Sequence, residues 1–286
     1  MSEHLLEMAK ALVKVTDGRI EVLTNPQISR CPLRQDLYGL GLESRKTVEA
    51  VLKRHMRELG MYGPGRVLEL HEKPVSFGAS EIVADGLSEG LVDAAVVVCE
   101  GAGTVIATKQ EVLQAVGAHM TGLIKTEPIE EIQAGLEKRG CILLDRQCGI
   151  DQVKGFEMAA EAGFERIAVT IAGTRAFEAE MLRETGRWMG KRPVILAVHT
   201  TGIGEAEARA LAENCDIVWA CASKAVRDVV GAQARLQIGV SIPVFALTNE
   251  GKRLVLNRAQ HFEGSLVIHR ASLPLAPLGK QPEPLI

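Results

Sequence analysis

Residues 167–202 read Ile167-Ala-Val-Thr-Ile171, then Ala172-Gly173-Thr174, an amphipathic stretch over 175–188, Val194-Ile-Leu-Ala-Val198 and His199-Thr200-Thr201-Gly202. Two short apolar runs bracket one segment of helical period. A strand that is apolar at successive positions has no solvent face, so both sides of its sheet must be covered. Alternation with helices supplies that cover and predicts parallel strands. The unit recurs on either side. Apolar runs stand at Ala94–Val98, Met120–Ile124, Cys141–Leu144, Ile217–Ala220 and Val244–Leu247. Helix patterns lie near 79–89, 109–117, 128–139, 151–162, 204–213, 223–234 and 250–260. The reading is an α/β fold, a mostly parallel, doubly wound sheet with helices on both faces. A (β/α) barrel is the alternative, because seven strand–helix units nearly suffice to close one.

The flanks read differently. Residues 13–23 alternate apolar and polar positions around Asp17-Gly18, whose positive φ angles suit a tight hairpin turn. A short helix is expected before it. Ser44 caps a helix over 44–59 with one stripe of Val48, Val51, Leu52, Met56 and Leu59, and Gly60 ends it. Thr108 with Glu111 reads as a capping box, and Pro128 suits a first helical turn. The chain divides into an N-terminal helix, hairpin and helix region (1–70), an α/β core (71–260) and a Pro-rich C-terminal tail (261–286). Pro274, Pro277, Pro282 and Pro284 deny the tail a regular helix or central strand, so it is expected to add little to the core.

Composition bounds the partners. The chain has 286 residues, 47% apolar and 24% charged, which is ordinary for a globular protein and excludes whole-chain disorder or coiled coil. A net charge of −3 with no long basic run disfavours nucleic acid, and 3% aromatics leaves little for base stacking. No run approaches the ~18 apolar residues of a membrane helix, and the first residues are acidic where a secretory signal is basic. A cytoplasmic protein with no membrane partner is expected, acting on a small molecule or a metal cofactor. A homo-oligomer is compatible with the sequence.

In either architecture, ligands bind at the carboxyl ends of parallel strands, where loops and helix N-termini converge. That rule nominates Cys99-Glu-Gly101-Ala-Gly103-Thr104, Asp145, Gly173-Thr174, His199-Thr200-Thr201-Gly202, Cys221-Ala-Ser223-Lys224 and Thr248-Asn249. Cys99, His199 and Cys221 are the candidate catalytic residues, a thiol as nucleophile with an imidazole as its base. Gly101, Gly103, Thr104, Thr200, Thr201, Gly202 and Ser223 offer backbone N–H groups and hydroxyls to an anion. The turn after Cys99 is expected to lower that thiol's pKa. Gly101-Ala-Gly103 is not a dinucleotide fingerprint, since the third glycine is missing and strand residues follow. None of the six cysteines forms a Cys-x-x-Cys pair. Cys31-Pro32, in a loop after the hairpin, can fold over the rim. Cys31, Cys99 and Cys221 then form a candidate metal set for an iron–sulfur cluster or another thiolate-bound metal, with Cys148 a further thiol nearby. Cys141 and Cys215 precede their strands and read as structural. Each of these residues also has a bland reading, as a buried thiol, a satisfied histidine or a tight turn.

Cys31-Pro-Leu, Ser76-Phe-Gly-Ala-Ser-Glu81, the segment from Leu91 to Val105, Val198-His-Thr-Thr-Gly-Ile203 and Cys215-Asp-Ile-Val-Trp-Ala-Cys-Ala-Ser-Lys224 together resemble the methanogenesis marker protein 8 family, over about residues 10–258. The motif residues are Cys31, Cys99, His199, Cys215 and Cys221. The resemblance implies a setting in anaerobic one-carbon or metal-cofactor metabolism and no particular reaction. The first functional expectation is thus a thiolate–imidazole site, with a metal or a nucleophilic cysteine. The alternative is a non-catalytic protein that binds a small anion or assists cofactor assembly.

Overall fold

The structure, a computed structural model, describes residues 2–119, 122–277 and 279–286. In chain order it runs β1 (Glu3–Met8), β2 (Ala11–Thr16), β3 (Arg19–Val22), α1 (Pro32–Tyr38), α2 (Arg45–Leu59), α3 (Ala79–Ser88), β4 (Ala94–Cys99) and β5 (Gly103–Ala107). There follow α4 (Gln110–Gly117), β6 (Gly122–Thr126), α5 (Glu130–Lys138), β7 (Ile142–Leu143), α6 (Gln152–Glu161), β8 (Ile167–Ala172) and α7 (Phe177–Met189). The chain continues with β9 (Val194–Val198), α8 (Glu205–Asn214), β10 (Ile217–Trp219), β11 (Leu236–Ile238), β12 (Val244–Ala246) and α9 (Asn249–Gln260).

The large sheet has the order β11-β12-β10-β9-β8-β4-β5-β7 and is open, with β11 and β7 as its edges. The barrel alternative is not the fold. Its centre, β4, β8, β9 and β10, is parallel. Both flanks turn antiparallel, through β5 and β7 on one side and β12 and β11 on the other. Strand residues point alternately to two cores, as the pleat requires. Ala95, Val97 and Cys99 face α3, α4, α5 and α9, whereas Ala94 and Val96 face α6, α7 and α8. Helices therefore cover both faces, and each fully buried Val, Leu, Ile or Phe contributes about 1.5–3 kcal/mol.

Two antiparallel pairings redraw the expected rim. Strand β7 lies antiparallel to β5, itself antiparallel to β4, so Asp145 stays at the carboxyl end of β4. Strand β12 runs against β10, and Thr248 donates through Oγ1 to Asp216 Oδ1 at 2.5 Å, just before β10. Thr248-Asn249 therefore sits at the far end of the sheet. The reason is local: β11 forms a short antiparallel pair with β12, and no helix crosses over between β11 and β12.

The first residues correct a second expectation. Glu3–Met8 is a strand, not a short helix, and its side chains alternate between partial exposure and burial. Strand β1 pairs with β2 on one side and with β6 on the other, so the small sheet runs β3-β2-β1-β6. Strand β6 comes from within the 71–260 span; of its predicted run, Met120 and Thr121 lie outside the described residues. Leu6, Val13, Val15, Val48, Leu52 and Met61 fill the core between this sheet and α2. Helix α2 starts as predicted. Ser44 Oγ accepts from Thr47 N at 3.2 Å, and Ser44 N donates to Thr47 Oγ1 at 2.8 Å. Helix α4 instead starts after Lys109 with no side-chain cap, so Thr108 is not its cap.

The 261–286 segment is mostly exposed up to Lys280 and buried at Gln281 and Pro282. Glu283 forms an antiparallel bridge with Arg30, and Ile286 N donates to Ala222 O at 3.0 Å. The expectation that this segment adds little therefore fails over its last six residues, which strap two loops of the rim together.

Candidate functional site

The site is built where β9 and β10 end. His199 follows β9 with φ at 52°. A non-glycine residue in the left-handed region is uncommon and is held there by its surroundings. The next residue does the holding. Thr200 Oγ1 donates to Trp219 O at 2.5 Å and accepts from Cys221 N at 3.2 Å. Thr201 Oγ1 accepts from Ala222 N at 3.4 Å. Ser223 Oγ donates to Ile203 O at 3.3 Å and accepts at 3.2 Å from Val226 N, the first residue of a π-helical turn over 226–230. These hydroxyls thus tie the β9 and β10 loops to each other.

The small sheet brings in a third side. A Cβ on Gly122 would lie 3.8 Å from His199 Cγ, and Gly122 is the register partner of Glu7 on β1. The His199 imidazole therefore rests against the β1–β6 pair. Burial holds its pKa below the usual histidine range, opposed by Glu7, so the ring is neutral at pH 7. Glu7 is itself paired with Lys10 Nζ at 3.2 Å. Lys10 Cε would stand 3.0 Å from a Cβ on Gly202, whose φ is 70°.

Cys31 reaches the same place through the strap. It is the N-cap of α1, one residue beyond Arg30, which bridges Glu283. Three residues later Ile286 pairs with Ala222 and accepts at its carbonyl from Lys224 N at 3.3 Å, next to Cys221. Burial pushes the Cys31 thiol up, the Arg34 amide opposes this, and negative charge on Cys221 pushes it further up. The Cys221 thiol is also raised by burial; the Thr200 amide and hydroxyl and the Arg227 guanidinium pull the other way, and Glu7 adds to the rise. Cys31, Cys221 and His199 each keep partial exposure. Glu7 lies within Coulombic reach of both His199 and Cys221, and Cys221 within reach of Cys31.

Cys99 belongs to another network. It is fully buried, and its thiol donates to Glu100 O at 3.4 Å and to Glu100 Oε2 at 3.7 Å. Burial, with Glu100 beside it, raises its pKa well above the usual thiol value, the reverse of the expected activation. The two glycines serve the turn itself. Gly101 N donates to Thr126 Oγ1 at 2.8 Å, and Thr104 N to Gly149 O at 2.9 Å, so these donors are already taken. A Cβ on Gly103 would stand 2.4 Å from the Cys148 carbonyl carbon, which is why nothing larger fits. Thr104 Oγ1 donates to Gln152 Oε1 at 2.8 Å and accepts from Asp151 N at 2.9 Å. Glu100 is the residue that sequence reasoning passed over. Its carboxylate accepts from Arg66 Nε at 2.6 Å, with both side chains buried.

The remaining thiols lie apart. Cys148 accepts from Gln133 Nε2 at 3.3 Å, and burial lifts its pKa to about 11. Cys141 is raised by burial to about 11, and Cys215, in the β10 approach, is raised by burial as well. Among the described residues no three His, Cys, Asp or Glu side chains form a group able to hold a metal ion. Of the candidate metal set, Cys31 and Cys221 lie within Coulombic reach of each other, and among the described residues no interaction joins Cys99 to either. Asp145 lines a groove of about 590 Å³ with Asp151, Lys154, Glu157 and Glu161, and neither Cys31 nor Cys221 lines it. Among the described residues, no helix is long and apolar enough to cross a membrane.

The chain belongs to a family described as "Uncharacterized protein conserved in archaea", whose profile matches residues 4–260. It is 33% identical over 288 residues to an uncharacterized protein of Methanocaldococcus jannaschii, and the alignment covers 100% of both chains. The family match therefore takes in Cys31, His199 and Cys221 and stops short of the strap.

Proposed function

We propose that this member of the archaeal family works through a nucleophilic thiol, Cys221, with neutral His199 as the base that takes its proton and Cys31 as the neighbouring second thiol. The single observation that supports the reading is the convergence itself. Loops from β9 and β10, the end of β1 in the small sheet and the 283–286 strap come together near partly exposed Cys31, His199 and Cys221, while the other four thiols are buried. Neutral His199 precedes Thr200, whose hydroxyl accepts from Cys221 N, so the base and the thiol stand on two loops tied together, and the thiolate is the reactive species. The Thr200 amide and the Arg227 guanidinium stabilise that thiolate once formed.

The substrate is a small molecule. The resemblance to methanogenesis marker protein 8 and the archaeal family fit a cytoplasmic role in anaerobic one-carbon or metal-cofactor metabolism. Cys99, assigned to the same site in the sequence reading, serves instead as a buried donor to Glu100. The alternative of a thiolate-bound metal is left with two thiols, too few for an iron–sulfur cluster without further ligands.

Alkylation of the native, reduced protein by iodoacetamide, with each label located by mass spectrometry, tests the reading. Cys221 is expected to react at least about tenfold faster than Cys99 or Cys215, and His199→Ala to slow it. Equal rates at Cys221 and Cys215 in folded protein would overturn the assignment. Metal retained by anaerobically purified protein and lost in Cys31→Ser would favour the metal reading instead.

A further inference from the structure

One cation beside Cys221 has no ion-pair partner among the described residues. Lys10 is paired with Glu7 at 3.2 Å, and Arg34 with Glu43 at 2.6 Å. Lys224, on the exposed side, is paired with Asp228. Arg227 has no carboxylate partner among the described residues, although it is only 3% exposed. Its Nη2 donates to Ala220 O at 2.9 Å, Cys221 O at 3.1 Å and Ser241 O at 3.1 Å, while Nε and Nη1 are buried with no acceptor. A buried cation without a counter-ion costs several kcal/mol, and unused N–H donors add to that cost. Three carbonyls explain where the guanidinium is anchored. They do not supply the negative charge it lacks. The ionisable acid within its reach is the Cys221 thiol, and covalent geometry places the sulfur within about 8 Å of the Nη2 that holds the same residue's carbonyl.

We infer that Arg227 makes the Cys221 site selective for anionic electrophiles, so that the natural substrate is a small molecule with a carboxylate or similarly charged group next to its reacting atom. The inference rests on the reading of Cys221 as a nucleophile and adds the charge of the substrate. Glu7 is the opposing carboxylate, held in check by Lys10. Glu7 and Arg227 both lie within Coulombic reach of Cys221, and Arg227 is buried, so its charge acts on a group reacting at the thiol through the field rather than by contact. In the low dielectric of a covered site such a field is stronger than in water.

A matched pair of alkylating reagents reads this directly. Iodoacetate and iodoacetamide react alike: the Cys221 thiolate attacks the methylene carbon, a carbon–sulfur bond forms, and iodide leaves with the carbon–iodine electron pair. They differ in carrying a carboxylate or a neutral amide. The rate ratio of iodoacetate to iodoacetamide at Cys221 is expected to exceed the ratio on glutathione by about tenfold. Arg227→Met should abolish the excess, and Arg227→Lys should restore part of it. Glu7→Gln, which leaves Arg227 and its anchors intact, should enlarge it, so the test does not depend on an Arg227 variant folding. If iodoacetamide labels Cys221 readily and iodoacetate gains nothing over its ratio on glutathione, the charge inference is wrong and the nucleophile stands. If neither reagent labels Cys221 in folded protein, both fall.

Discussion

Replacing Glu100 by Gln removes one charge from the most enclosed ion pair of the molecule and changes almost no volume. The Arg66 and Glu100 side chains are 1% and 0% exposed. Arg66 also donates to Val67 O at 2.8 Å and Ala115 O at 2.7 Å, so the guanidinium cannot swing out to water without breaking three contacts. It stays buried and charged, and removing one partner of such a pair costs about 3–5 kcal/mol. Unfolding entropy of about 2.1 cal/mol/K per residue, over 286 residues, amounts to about 0.6 kcal/mol/K. The melting temperature of Glu100→Gln should therefore fall by about 5–8 °C, read by calorimetry or circular dichroism. A double variant, Arg66→Met with Glu100→Leu, removes both charges and should recover more than half of the loss. A single variant melting within about 2 °C of the parent would show that water or a relaxed Arg66 satisfies the charge, and would refute the reasoning.

Three further outcomes are expected. His55 is 3% exposed and burial depresses its pKa to about 3, so between pH 6.5 and 3 the unfolded chain binds a proton that the folded chain refuses. Stability from this group is full above pH 6.5 and falls by about 1 kcal/mol per unit below it; His55→Gln should flatten the decline of melting temperature from pH 6.5 to 4.5, and equal slopes would exclude His55 as its source. Gly103→Ala should melt several degrees below Gly41→Ala, because its Cβ meets the Cys148 backbone at 2.4 Å with φ at 73° whereas nothing lies within 4 Å at Gly41; similar melting would mean that the 145–150 loop yields freely. Removing Gln281–Ile286 should speed alkylation of Cys31 and Cys221 without changing Cys99 or Cys215, and unchanged rates would mean that the strap does not shield the site.

The architecture was legible where side-chain pattern alone decides it. Continuous apolar runs such as Ala94–Val98 and Val194–Val198 can only be interior strands, and the capping residues around Ser44 need no tertiary partner to be read. Strand direction was not legible at Cys141–Leu144 and Val244–Leu247, because an apolar run looks the same whichever way it points. Residues 3–8 were misjudged for a related reason: the alternation of His4, Leu6 and Met8 is short and interrupted by Leu5, and only pairing with β2 and β6 fixes it as a strand. At the site, the rule of strand ends located His199 and Cys221. It grouped Cys99 with them because position along a strand does not say which face the next turn buries. Arg227, Glu7 and Lys10 carried no signal at all. Each is one of many charged residues, and its role depends on which other charges end up balanced around it.

Strand β1 finds its second partner 122 residues downstream, where His4 meets Thr126. An edge that must wait for so distant a segment makes the small sheet a late event on the folding route, since closing a long loop precedes the contacts that repay it. Until β6 arrives, the hairpin of β1, β2 and β3 carries an open, half-apolar border of unpaired amides. A nascent or truncated chain ending before residue 126 should therefore associate through that border, and a chaperone that holds extended segments would have its natural grip on residues 3–8.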